Sequence, residues 1–331
     1  MNLELDQNRF VDYLKNRLLD EETISNTLKD VTDYLVFTQT HPSLDQQQIL
    51  DLYLKTLIKN QSDSYDKILS LARYGRFSKQ YELYQSTISL LDGGEVMQNL
   101  SIQLEKNFGK SNRDKIFKGV SIPSWGMDNQ IKAKVMHQIM QQIESILDPS
   151  EWKPILSACL RDLPEASYEP SKKSYQSIDN LEHWLEKNKE DFLQEMKHLM
   201  ETGELYFNQP ITENVYRFLL EHEEISKGIL KGSQLFITKI PYLTDEWLKG
   251  KDPVRKSYLY CHCPWVRESL LGNPAIQKVS SNFCHCSAGF VKKEYEVMFG
   301  QKLEFEIMQT ISKGDPVCQF AISIPEQFLT K

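Results

Sequence analysis

The apolar positions of the first hundred residues recur at helical spacing. Phe10, Tyr13, Leu14 and Leu18 form one stripe. Leu28, Val31, Tyr34 and Leu35 form a second, and Ile49, Leu52, Tyr53 and Leu57 a third. Ser43, with Gln46 three residues on, reads as a capping box ahead of the third. Further helices are predicted over 65–74, 77–91 and, after Gly93-Gly94, 96–108. Gly109, Gly119 and Pro123 punctuate a connector over 108–124. An amphipathic helix follows over 131–147, with Val135, Ile139, Ile143 and Ile146 on one stripe. Then come a shorter helix over 151–160, a polar loop over 164–177 and a long helix over 178–200. Asp179 and Glu182 in the first turn of that last helix suit its dipole, and Gly203 ends it.

From Glu204 the period shortens. Leu205-Tyr206-Phe207 and Leu235-Phe236-Ile237 are β-prone runs, and between them Thr212 caps a helix running to Glu221. Short helices are predicted over 243–248 and 266–271, strands over 258–261 and 279–283, and a helix over 288–299 with Gly300 as its C-cap. Residues 303–311 alternate, Gly314-Asp315 turns, and 317–324 returns as a hairpin. Strands and helices without regular βαβ alternation predict an α+β fold. The expected arrangement is an all-helical N-terminal region, 1–108, packed on an α+β domain, 109–331, with an antiparallel or mixed sheet. Residues from about 200 onward form its ligand-binding-like part. The helical region carries no assigned chemistry; interaction or homodimer formation is the alternative use for it.

Composition narrows the function. A chain of 331 residues with 40% hydrophobic content can fill two cores. A net charge of −7 without a basic run argues against nucleic-acid binding. No apolar stretch reaches membrane-spanning length, and the acidic, polar first residues do not resemble a signal peptide, so a cytoplasmic location is expected. Thiols stay reduced there, and clustered cysteines then suggest metal binding or catalysis.

Five of the six cysteines fall between Tyr260 and Phe320: Cys261-His262-Cys263, Cys284-His285-Cys286, and Cys318. On extended chain, residues two positions apart share a face, so Cys261 with Cys263, and Cys284 with Cys286, can each point to one site while the histidines point away. Cys286 also stands near a predicted helix start, which stabilises a thiolate. Converging thiolates favour zinc, with iron or an iron–sulfur centre as alternatives. The Cys-x-Cys spacing differs from the Cys-x-x-Cys of zinc knuckles. A reactive or redox thiol pair, or cysteines that merely pack, remain open. Cys159, alone on an apolar face, reads as a small buried hydrophobe.

Glu304 and Glu306 share one strand face and are candidate ligands or general bases, along with Cys286 as a candidate nucleophile; a solvated strand face is the plainer reading. Glu294, Glu296, Lys292 and Lys293 look like an ordinary charged helix surface, and Asp315 a turn residue. Arg267 is a candidate for holding a carboxylate or phosphate. Trp265, Tyr260 and Phe290, with other aromatics near the cysteines, could wall a small-molecule pocket or simply form core.

The last sixty or so residues resemble the 4-vinyl-reductase-type small-molecule-binding domain. The matching features are a cysteine before Gly289-Phe290, then Gly300, the acidic strand with Glu304 and Glu306, and Gly314-x-x-x-Cys318-x-Phe320. The resemblance implies an α/β ligand-binding domain with a zinc site of cysteines and a glutamate near a ligand pocket. It carries over to Cys284 or Cys286, to Cys318 and, approximately, to Glu306. A further family cysteine falls on Thr310 here, and Cys261 and Cys263 could supply the missing ligands. The same ending is similar to amino-thiazoline-carboxylate hydrolase-like proteins, and the whole chain resembles a family of uncharacterised bacterial proteins with paired Cys-His-Cys motifs. The leading expectation is a small-molecule-binding or sensing protein with a cysteine-rich metal site. The alternatives are a zinc-dependent hydrolase and a thiol redox protein.

Overall fold

The first helices start where acidic or hydroxyl side chains precede apolar stripes. In the computed structural model, which describes residues 5–161, 163–178 and 180–329, Asp6, Asp20 and Ser64 cap α1 (Gln7–Lys15), α2 (Glu21–Gln39) and α4 (Tyr65–Phe77) by accepting backbone N–H groups. The third helix, α3 (Gln46–Lys59), does have a capping box, but on Asp45 and Gln48 and not on Ser43 and Gln46. The stripe predicted over 77–91 is interrupted: α5 (Tyr81–Leu91) begins only after α4 has ended at Phe77.

The chain divides into two compact units. One holds the residues up to Gly94 together with Pro123–Ile131; the other holds Glu95–Ile122 and the chain from Lys132 onward. The expected boundary at 108 therefore moves. The helix α6 (Val96–Ile116), which runs into the expected connector and kinks at Gly109 (φ 80°, ψ 161°), belongs to the second unit. In the first unit α1–α5 enclose Phe10, Val31, Tyr34, Leu50, Ile68 and Leu71, each almost without exposure. Burying side chains of this kind contributes about 1.5–3 kcal/mol apiece. Gly94 is required there, because a Cβ on it would lie 2.2 Å from the Trp125 ring.

The second unit carries all the strands found among the described residues, which makes the chain α+β as expected. After α6 come α7 (Asn129–Ile146), most of which lies in this unit, and α8 (Pro149–Leu156). The expected loop over 164–177 is instead a 3₁₀ turn, Glu165–Tyr168, and α9 (Glu169–Gln176). The long helix is α10 (Leu181–Thr202), capped by Asn180; Asp179 lies outside the described residues. A small hairpin, β1 (Leu205–Tyr206) and β2 (Gln209–Pro210), precedes α11 (Glu213–Glu221). The main sheet is antiparallel throughout, in the order β3-β4-β6-β5: β3 (Ile229–Lys231), β4 (Gln234–Thr238), β6 (Gln319–Ser323) and β5 (Phe305–Gln309). Between β4 and β5 lie α12 (Thr244–Lys249), α13 (Pro253–Tyr260) and α14 (Cys284–Phe299).

Three expectations fail around the cysteines, for local reasons. Residues 258–261 are not a strand. Asp252 caps α13 by accepting the Val254 and Arg255 N–H groups, Pro253 suits the first turn, and the helix runs to Tyr260. Residues 279–283 end in a 3₁₀ turn, Ser281–Phe283, that leads directly into α14, so this helix starts at Cys284, four residues before the predicted 288. The predicted helix over 266–271 is a 3₁₀ turn, Arg267–Leu270.

Candidate functional site: a thiol cluster

The cysteines sit at the end of the sheet where β4 finishes and β6 begins, the two strands being paired Thr238 to Gln319. Cys261 leaves α13 with extended backbone (φ −71°, ψ 120°). The chain alternates from there. His262 points away from the thiols, donating Nε2–H to the Ile240 carbonyl at 2.6 Å, with its ring 5.4 Å from Tyr242. The carbonyl of Cys263 accepts the N–H groups of Val266 and Arg267 at 3.0 and 2.8 Å, closing the turn after the motif. Cys284 arrives as the first residue of α14, and Cys318 just ahead of β6, where its carbonyl accepts the Lys239 N–H at 2.9 Å.

Four thiols from three chain segments thus lie within electrostatic reach of one another around Cys284. Cys318, Cys261 and Cys263 all act electrostatically on Cys284, and Cys261 acts on Cys318. Burial pushes Cys261 up to about 12 and Cys318 up to about 11, and raises Cys284 well above the ordinary thiol range. Lys239 opposes this at Cys261 and Cys318, Arg267 at Cys261, and a hydrogen bond with the Thr310 side chain at Cys284. Without a counter-charge these thiols stay protonated, the reverse of what an activated nucleophile needs. All six cysteines are thiols, not disulfides.

Cys286 departs from the expected set. On a helix, residues two positions apart lie about 200° apart around the axis, not on one face. The strongest electrostatic neighbours of Cys286 are accordingly Arg161 and Cys159. Burial raises Cys286 to about 12, so it is no better suited to be a nucleophile than Cys261, Cys284 or Cys318. Cys159, at φ 57°, lies just beyond α8, whose end packs tightly on α14 at Gly289.

The two histidines are held neutral. Burial, then the Lys239 charge, lowers His262 to about 3, and burial, then Lys153 and Lys313, lowers His285 to about 4. The His285 ring lies 5.5 Å from Trp152 and 5.8 Å from Phe305, away from the thiols.

The other candidates fall into two groups. Glu304 and Glu306 are exposed, and Glu306 lies three residues along β5 from Gln309, the residue at the thiol end of that strand. At about 3.4 Å per residue that is roughly 10 Å, too far for a general base at the cysteines. Trp265 and Tyr260 are buried core residues. Tyr260 donates its hydroxyl to the Lys239 carbonyl and takes a hydrogen bond from the Cys318 backbone. Arg267 is 5% exposed, its guanidinium 4.2 Å from the Tyr242 ring centre and 5.2 Å from that of Tyr258. It braces the cysteine loop from behind. Phe290 packs against the Arg161 guanidinium at 5.4 Å. The helix surface expected at 292–296 is partly interior: Lys292 and Glu296, each 7% exposed, pair at 2.6 Å, and Glu296 also accepts the Leu303 N–H at 3.2 Å.

Pattern reading passed over Lys239 and Ile240, whose backbone holds the thiol segments together. Nothing marks them in the sequence except their place directly after a β-prone run.

As a donor set the four thiols suit a soft divalent ion in kind, with the Asp315 carboxylate acting electrostatically on Cys318. Among the described residues, no group of three or more His, Cys, Asp or Glu side chains is disposed to hold a metal ion. No helix among the described residues is long and apolar enough to cross a membrane. Compared with protein-family models, curated proteins and solved structures, the chain matches none.

Proposed function

We propose that the C-terminal part of this chain is a small-molecule-binding or sensing domain that holds one soft metal ion on Cys261, Cys263, Cys284 and Cys318. Zinc is the first choice, ahead of iron or an iron–sulfur centre. The observation that carries this reading is the gathering of four thiols, Cys261 buried and the other three partly buried, from three separate segments at one end of the sheet. The β5–β6 hairpin leading to Cys318 and the close approach at Gly289 suit the resemblance to the 4-vinyl-reductase-type domain. Thr310, which takes the place of a family cysteine, is fully buried beside Cys284.

The ion's role in this reading is structural or gating. The hydrolase alternative loses its general base, since Glu304 and Glu306 are exposed and remote. A reducing compartment, the cytoplasm, is where such thiols would work. Redox use of the thiols is the second reading, favoured by the lack of a ready ion-holding arrangement among the described residues and opposed by the raised thiols.

Elemental analysis of protein purified without a metal-binding tag tests the proposal. The expected result is close to one zinc or iron per chain, with the four thiols reacting only after a chelator is added. Metal-free protein whose four thiols all react in the native state would refute it and promote the redox reading.

A further inference from the structure

The main sheet ends on β5, which pairs with β6 and with no other strand among the described residues. One contact fixes its hydrogen-bonding phase. The Glu304 carbonyl accepts the Ser323 N–H at 2.9 Å, so Glu304 turns its backbone groups toward β6. Successive residues of an antiparallel strand turn these groups to opposite sides. Glu306 therefore faces β6 as well, and the N–H and C=O groups of Phe305 and Ile307 point away from the sheet. Among the described residues those four groups have no partner. The pairing shifts between Ile307 and Gln309, so the regular open edge is 304–307.

The side chains along this edge alternate too. Glu304 and Glu306 are exposed on one face, and Phe305 and Ile307 are half-buried on the other. Neither carboxylate meets a cation within ion-pair distance among the described residues; the nearby Lys302 pairs with Glu296 at 3.5 Å. A second copy of the chain fits this edge poorly. Two-fold antiparallel pairing centred on Glu304, Phe305 or Glu306 sets two carboxylates directly opposite each other, which is destabilising. Centring it on Ile307 draws in the irregular residues beyond. A strand with a cation opposite each glutamate and an apolar side chain opposite Phe305 and Ile307 meets every demand of the edge.

We propose that the open edge of β5 takes an extended segment of a partner protein, alternating basic and apolar residues, as a fifth, antiparallel strand of the sheet. The backbone groups of Phe305 and Ile307 supply the ladder, and Glu304 and Glu306 select the charge. In that ladder the partner's apolar residues turn their N–H groups to β5, and its basic residues turn theirs outward. The proposal does not depend on the thiols holding a metal.

The test is amide NMR of the full chain titrated with a capped Lys-Val-Lys-Val-Lys peptide. Saturable shifts centred on the Phe305 and Ile307 amides are expected. N-methylation of the two valines should abolish them, whereas N-methylation of the lysines, at the same charge, should leave them in place. Glu304→Lys combined with Glu306→Lys turns two attractions into two repulsions. It should weaken binding at least about fourfold, with affinity regained for a Glu-Val-Glu-Val-Glu peptide. Both glutamates are exposed, so the double variant should fold; if it does not, the N-methyl comparison on the wild-type chain decides. Absence of shifts at β5, equal binding of the valine-methylated peptide, or unchanged affinity in the double variant would each overturn the proposal. Shifts at β5 that follow protein concentration and not peptide would overturn it in favour of a second copy.

Discussion

Gly289→Ala should destabilise the second unit although helix propensity argues the opposite. Gly289 lies within α14, where replacing glycine by alanine ordinarily stabilises by about 0.8–1.0 kcal/mol. Here a Cβ would lie 2.5 Å from the Ser157 carbonyl oxygen, 2.7 Å from its carbonyl carbon and 2.9 Å from its Cα. These are backbone atoms just past the end of α8, so no rotamer change relieves the overlap. The helix α14 must back away, at an overpacking cost of about 1–3 kcal/mol. With all three contacts under 3.0 Å the cost belongs near the top of that range, leaving a net loss of about 1–2 kcal/mol. Urea unfolding followed by Trp152 fluorescence is the suitable assay, because that residue is on α8 and its ring lies 5.5 Å from His285 on α14. The midpoint should fall with an unchanged slope. Cys284 sits five residues back on the same helix, so zinc affinity should fall as well. A variant as stable as wild type, or more so, would refute the close helix contact.

Other perturbations have definite signs. Cys261→Ser, Cys263→Ser, Cys284→Ser and Cys318→Ser should each lower bound metal in elemental analysis, whereas Cys286→Ser should retain it and Cys159→Ser should cost only about 1 kcal/mol in packing. Tyr260→Phe removes a buried hydroxyl bonded to Lys239 and Cys318 and should cost about 1–3 kcal/mol by thermal or urea unfolding, with weaker metal retention. Burial raises the Glu296 carboxyl, but hydrogen bonds from Lys292 and the Leu303 N–H outweigh it and hold the group below its ordinary 4.5. Its contribution is therefore full above that value and is lost as pH falls through the depressed folded value. Glu296→Gln should flatten this acid limb in a pH series of unfolding midpoints and, by leaving Lys292 buried without its charge partner, cost about 3–5 kcal/mol at neutral pH. Glu306→Gln should leave metal content unchanged.

The helical stripes were legible because burial on one face is a periodic requirement, and Phe10, Val31, Tyr34 and Leu57 are all buried as their spacing demands. The hairpin around Gly314 was legible for the same reason, in a period of two. Tyr258-Leu259-Tyr260 misled because aromatic and branched residues favour strands, while the stronger signal stood upstream: Asp252 followed by Pro253 is a helix start. Separately, the late start given to α14 put Cys284 and Cys286 on one face when helix geometry separates them. The unit boundary lay at Gly93-Gly94, read only as a break between helices, because its meaning depends on Trp125 packing over Gly94. Lys292 and Glu296 resembled a surface because the chain around Leu303, which folds back over them, is not local to their pattern. The role of Lys239 was illegible for a similar reason. It consists of hydrogen bonds to Cys318, Tyr260 and Ser287, none of which is a sequence neighbour.

X-ray absorption at the metal edge of the as-purified, untagged protein measures the central claim directly. The account predicts one metal with four sulfur neighbours at about 2.3 Å, falling to three in Cys284→Ser. A first shell of nitrogen and oxygen ligands, or no metal in the protein, would contradict it.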